Sequence, residues 1–298
     1  DYGYWVQSIG KRATVLVGGN AISFWNYYMG RLVLTGDNQK DALEFLYNHN
    51  TTHFLIDSSD IGKYGAFSSI GSNENYDRLS QIGSFILSES QTQETKDQNI
   101  YVYTGGIGLD EDLIINDSGK EILLPQGNAA IGAIIFPIEK NNSKEGASQP
   151  YAIAVYQNKQ YKVNLRYLYL DNSFVDFKSG IEAGVYIFPK IIQTSDGISS
   201  NKIGASIYLS PRLMRGMLTQ KYILNDPFNK FPNFKLVHTE QNIIIKELNK
   251  QGMNLPEFIY YGGIQGPIKI WEIEYTGEEK IKTEYLDTDS SKYLSWRL

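Results

Sequence analysis

The sequence predicts an α+β protein, with a mainly helical core domain interrupted by a β-rich inserted module. Three observations carry this. Apolar residues recur at helical spacing through most of the first hundred residues, at short strand-like runs from about 99 to 200, and at helical spacing again from Ser210. Helical character on both sides of the strand-rich stretch makes residues 1–98 and 201–298 one discontinuous core, with 99–200 inserted. The chain has 298 residues, 42% of them hydrophobic and 20% charged, which is enough to build two structural units.

The elements follow in order. Asp1-Tyr2-Gly3 suits a tight turn, because Gly3 relaxes the backbone and Asp1 can cap neighbouring amides. Tyr4 and Trp5 then form a half-buried aromatic platform. Gly10 to Thr14 is a turn leading into the apolar run Val15-Leu16-Val17, which Gly18-Gly19-Asn20 breaks. Asp37 or Asn38 caps a helix running to about His49, with Ala42, Leu43 and Leu46 on one face. Phe54-Leu55-Ile56 is a short buried strand. One further helix starts near Ser59, and another covers residues 76–87 with Leu79, Ile82 and Ile86 at helical spacing.

The period changes near Asn99. Residues 100–103, 151–156, 161–170 and 185–192 are the clearest strands, separated by turns rich in Asn, Gly and Ser. Residues 141–150 form a polar loop. Helix returns at Ser210-Pro211, an N-cap followed by Pro at the first helical position. Leu213, Met214, Met217, Leu218 and Leu224 make one apolar stripe, with the two Met as core filler. Residues 234–237, 243–245 and 268–273 then read as strands closing a sheet.

Composition excludes several classes. A net charge of −5 is not the electrostatic footprint of a nucleic-acid binder. No apolar run spans a membrane; the longest, residues 129–138, is interrupted by Gly132 and Pro137. With no Cys there are no disulfides, thiolate metal sites or Cys nucleophiles, and the three His lack metal-binding spacing.

One constellation stands out. In Asp60-Ile61-Gly62-Lys63-Tyr64-Gly65-Ala66-Phe67, helical geometry brings Asp60, Lys63 and Phe67 within a sector of about 60°. Gly62 and Gly65 weaken such a helix but let a ligand or another backbone come close. A surface i,i+3 ion pair above a buried Phe is the plain structural alternative.

Taken together, these stretches resemble a family. Asp1-Tyr2-Gly3 is similar to the end of the Trp-Trp-Asp-Tyr-Gly signature of the oligosaccharyltransferase catalytic subunit, in particular the archaeal single-subunit AglB type. Tyr4 and Trp5 match the aromatics that follow it, and Gly10 to Thr14 resembles the turn beyond. Asp60-xx-Lys63 resembles the family's Asp-Lys motif at a suitable distance downstream. Two departures stand beside the likeness. The Trp pair would lie before Asp1, and the family's usual Met or Ile four residues after the motif Lys is here Phe67, with Ile70 one turn on.

The resemblance implies a membrane glycosyltransferase that moves a lipid-linked oligosaccharide onto the Asn of Asn-x-Ser/Thr. The chain would be its soluble domain at the extracytoplasmic face, inactive alone and without catalytic or metal-binding residues of its own. A divalent metal, Mn or Mg, and the lipid-linked donor would belong to a transmembrane part outside this sequence. This domain's partner would be the acceptor polypeptide. Asp1 would bond the Ser/Thr hydroxyl, Tyr2 and Gly3 would shape the turn, and Lys63 would border the pocket with Asp60 orienting it. Phe67 or Ile70 would touch the Thr methyl. A site built around a hydroxyl strongly rejects analogues lacking it.

Two other classes compete. A secreted carbohydrate-binding or surface-layer module without catalysis is suggested by the β-rich middle and 22 Tyr. A hydrolase using Asp57 and Asp60 ranks last, since no second acid pairs with them at a defensible distance. Three Asn-x-Ser/Thr triplets begin at Asn50, Asn116 and Asn141, and Asn141 in its polar loop is the best candidate for self-modification.

Overall fold

A computed structural model describes residues 3–17, 22–117, 119–141, 144–195 and 197–289. It corrects the expected fold class. The molecule is mostly β, with 40% strand against 23% helix, and its largest feature is a closed seven-stranded barrel rather than a helical core. The chain forms two compact units, each discontinuous. One comprises Asp1–Ser80, Arg215–Glu240 and Ile268–Leu298; the other comprises Gln81–Met214 and Gln241–Pro267. The sequence reading put the changeovers at 98 and 200, whereas the strands Gly83–Leu87 and Gly197–Leu209 are both staves of the barrel.

The ring runs Lys159–Leu170, Tyr151–Tyr156, Ala130–Asn141, Gln98–Gly108, Gly83–Leu87, Gly197–Leu209 and Ile181–Thr194. A parallel pairing of Ile181–Thr194 with Lys159–Leu170, setting Leu168 opposite Val185, closes it. All other ladders in the ring are antiparallel. Closure leaves no edge in the ring, and alternate residues turn inward to fill it. Phe85, Tyr103, Ile134, Phe136, Leu165, Val185 and Tyr208 are among the buried residues packed there. Tyr103 carries its polar end inward, and its hydroxyl donates to the Ile203 carbonyl at 2.8 Å.

Three segments take a different form from the one their local pattern predicts, the first being the expected loop 141–150, in which Lys144–Ala147 is a strand paired antiparallel with Ala130–Asn141. Residues 76–87 are not helical: Tyr76 adopts φ 53° in a turn, and Gly83–Leu87 pairs with strands on both sides. Phe85 is fully buried in the barrel, so the strand is held by tertiary packing that overrides the helical spacing of Leu79, Ile82 and Ile86. Residues 243–245 are not a strand but the start of the helix Ile243–Lys250. Its N-cap is Asn242, whose side chain accepts from the Ile244 N–H at 2.9 Å. Ile245 and Leu248 then pack with Ile191, Leu255 and Ile259.

The other unit joins short helices to a small sheet. The helix Gln39–Asn48 is capped by Asn38, which accepts from the Lys40 N–H at 3.0 Å. His53–Ile56, Ile268–Ile273 and Phe234–Glu240 form a three-stranded antiparallel sheet in that order. Trp271 is buried there, with its ring centroid 5.9 Å from Phe54 and 6.5 Å from Tyr222. Two π-helical turns, Met29–Leu34 and Leu218–Ile223, have no signature in their sequences. In the barrel unit Ser210 caps the helix Pro211–Arg215 as predicted, accepting from the Leu213 N–H at 3.1 Å.

Candidate functional site

Asp1 and Tyr2 lie outside the described residues. Gly3 is buried at the start of the helix Gly3–Ser8 rather than in the expected tight turn, and Tyr4 and Trp5, expected half-buried, are exposed because the helix turns them away from the residues that cover Gly3. A methyl there would overlap the Leu16 carbonyl oxygen and come within 2.9 Å of Thr14 Oγ1. The site therefore requires glycine because of close backbone approach, and the run beyond Gly10 is what approaches.

The second motif begins where the strand His53–Ile56 ends. Asp57 Oδ1 accepts the Ser59 N–H at 2.6 Å, and the Asp57 N–H donates to Asp60 Oδ2 at 3.1 Å. This pair of side-chain-to-backbone bonds fixes the entry to the helix Ser59–Gly62. It anchors the Asp60 carboxylate, which is only 8% exposed. Burial pushes this carboxyl above its ordinary pKa; the Asp57 N–H and the Lys63 charge pull it back only in part.

The helix expected to carry Asp60, Lys63 and Phe67 on one face is divided. Ser59–Gly62 and Tyr64–Ile70 are separate helices, and Lys63 joins them with φ −91° and ψ −1°. Hydrogen bonds still bridge the break. The Lys63 N–H donates to the Ser59 carbonyl at 3.2 Å, and the Phe67 N–H to the Lys63 carbonyl at 3.1 Å. Lys63 and Phe67 are half-buried, while Ile70 is 38% exposed. Gly62 is open, for a methyl on it would meet nothing within 4 Å.

Several residues that the sequence did not single out fix this segment. Gly30, in a π-helical turn, lies against it: a methyl on Gly30 would sit 2.6 Å from the Phe67 carbonyl oxygen and 3.1 Å from the Gly71 N. Arg31 donates to both carboxylate oxygens of Asp77, at 3.0 and 2.8 Å, and to the Gly71 carbonyl at 3.1 Å. Burial alone would raise the Asp77 carboxyl; hydrogen bonds from Arg31 and the Asn73 N–H overcome it and hold the pKa below its ordinary value. Ser68, fully buried, donates to the Ser80 carbonyl at 2.8 Å and accepts from the Ser80 N–H at 3.0 Å. The run Ser68-Ser69-Ile70-Gly71-Ser72 was the available signal, since small residues in series permit close approach. Nothing local announced Arg31, whose partner lies 46 residues on.

Asp60 and Lys63 thus lie three residues apart across this junction, near enough for the Lys63 charge to act on the Asp60 carboxyl. Among the described residues no group of three or more His, Asp or Glu is placed to hold a metal ion. No described helix is long and apolar enough to cross a membrane. Of the three glycosylation triplets, Asn116 is exposed and accepts from the Gly119 N–H at 2.8 Å, and Asn50 takes φ 50° in an exposed turn. The second and third residues of the Asn141 triplet lie outside the described residues. Comparison of the chain with protein-family models and with curated proteins finds no match to either.

Proposed function

We propose that the chain is the acceptor-recognising domain of a membrane oligosaccharyltransferase, a glycosyltransferase that modifies Asn in Asn-x-Ser/Thr. The observation that carries this reading is the Asp60-xx-Lys63 turn. A buried carboxylate, fixed by the Asp57 N–H, stands one turn before a half-buried lysine. Anchoring of this kind suits a residue whose task is to orient an ammonium group rather than to ionise in catalysis. Lys63 then borders the acceptor pocket, and Asp1 bonds the Ser/Thr hydroxyl while Tyr2 and Gly3 shape the turn beside it. Of the two candidates for the Thr methyl, Ile70 is the more available because its side chain stands in the open. The domain works at the extracytoplasmic face, and donor, metal and bond-making belong to the transmembrane part.

The test uses the complete enzyme with Asn-x-Thr and Asn-x-Ser peptides. Lys63→Ala is expected to raise KM for peptide about tenfold with a smaller effect on kcat. Ile70→Ala should shrink the preference for Thr over Ser by about fourfold, the worth of one buried methyl group. Unchanged kinetics in Lys63→Ala would sink the proposal. The competing reading, a carbohydrate-binding module, predicts sugar binding by this chain alone with Asp60 and Lys63 freely replaceable. The barrel interior is filled by its own side chains, so such a ligand would have to bind outside it.

A further inference from the structure

We propose that the N-terminal helix is an interfacial anchor that seats on an anionic bilayer surface through Tyr4, Trp5 and Ile9, flanked by Lys11 and Arg12. The helix Gly3–Ser8 buries one side and exposes the other, where Gln7 and Ser8 stand among the apolar side chains. Gly3 is buried and Val6 half-buried, whereas Tyr4, Trp5 and Ile9 are 61%, 59% and 71% exposed. The Ile9 N–H donates to the Trp5 carbonyl at 2.9 Å, which continues the helical turn and sets Ile9 beside Trp5. The Tyr4 and Trp5 rings meet edge to face, 6.3 Å apart. Trp and Tyr joined by an aliphatic side chain are the residues that favour the level of lipid headgroups, where an apolar ring and a polar tip are both satisfied.

Charge selects the lipid. Lys11 and Arg12 follow the helix directly and no Asp or Glu occurs from Tyr2 to Gly36, although the whole chain is at −5; Arg31, in the same stretch, is engaged by Asp77 and takes no part. Lys11 and Arg12 are exposed immediately beyond the apolar face. Screening confines electrostatic attraction to about 8 Å at physiological salt, so this local basic cluster acts despite the net negative charge. The inference is independent of the transferase reading, because a peripheral membrane protein of any function would use the same face.

The test is sedimentation of the full chain with vesicles of equimolar phosphatidylcholine and phosphatidylglycerol, and of phosphatidylcholine alone. Binding is expected to the anionic vesicles, weakened by salt. Trp5→Ser with Ile9→Ser should lower the partition coefficient by tenfold or more. Lys11→Ser and Arg12→Ser should each cost about fivefold on anionic vesicles only. All four side chains are exposed, and circular dichroism matching the parent would show the fold retained. Absence of binding by the parent chain, or equal binding by the Trp5→Ser, Ile9→Ser variant, would overturn the proposal and assign the face to a protein partner. Failure here would leave the peptide kinetics of Lys63→Ala untouched, so the two readings fall separately.

Discussion

Asp60 is where local chemistry and burial pull in opposite directions. Its side chain caps a backbone N–H, yet its charge is buried, so the folded state binds a proton more tightly than the unfolded one. The stability this group contributes is therefore fully present in acid, falls as pH rises from the unfolded pKa through the raised folded value, and is flat above. Asp60→Asn keeps an acceptor for the Asp57 N–H and removes the charge. The variant should unfold at a temperature equal to or above that of the parent at neutral pH, and the gap should close as the pH is lowered. A lower melting temperature at neutral pH would show that the charge is itself a stabilising feature. Glycines give a second contrast. Gly30→Ala forces a methyl against the Phe67 carbonyl and should cost about 1–3 kcal/mol. Gly62→Ala meets nothing and should gain up to about 1 kcal/mol from helix propensity. Thermal unfolding of the two variants decides both.

At the scale of elements, the two short helices around Lys63 are too brief to be stable alone. They are held from outside by the Arg31 fork on Asp77 and Gly71, and by Ser68 bridging to Ser80. Arg31→Ala should cost about 1–2 kcal/mol, as both partners are partly solvated and the ion pair is screened accordingly. Arg31→Lys should recover only part of this, because an ammonium cannot reproduce the fork. Since the Asp77 carboxyl is held below its ordinary pKa, its contribution is present above the unfolded value and lost as pH falls through the folded one. Acid unfolding of the parent and of Arg31→Ala should therefore converge at low pH. Parallel acid curves for the two would show that the pair contributes nothing.

For the whole molecule, stability of the barrel unit depends on closing the ring. Leu168 lies on the closing ladder, opposite Val185 and 1% exposed. Leu168→Ala should cost about 2–5 kcal/mol in urea unfolding. Ile114, 67% exposed on the two-stranded hairpin of the same unit, should tolerate serine within about 0.5 kcal/mol. Equal costs at the two positions would mean that closure is not what holds the unit. The ring also explains why the fold class was misjudged. The strands Gly83–Leu87, before the stretch read as β, and Gly197–Leu209, which runs past its end, are paired to each other, and that pairing joins residues more than a hundred positions apart.

What the sequence determined by itself is local. Caps at Asn38 and Ser210, the strand at Phe54 and the strands at 100–103, 151–156, 161–170 and 185–192 follow from spacing and side-chain chemistry within a few residues. The candidate site was legible only as motifs, because the short helices that set Asp60 against Lys63 are held by partners outside the motif. Tertiary structure decided whatever needed a distant partner. Gly83–Leu87 is a strand because barrel neighbours complete its ladders, and Arg31 matters because Asp77 comes to it. Apolar spacing records that a face is buried, but not which segment buries it. A short apolar run therefore takes the secondary structure that its eventual neighbour can satisfy with hydrogen bonds.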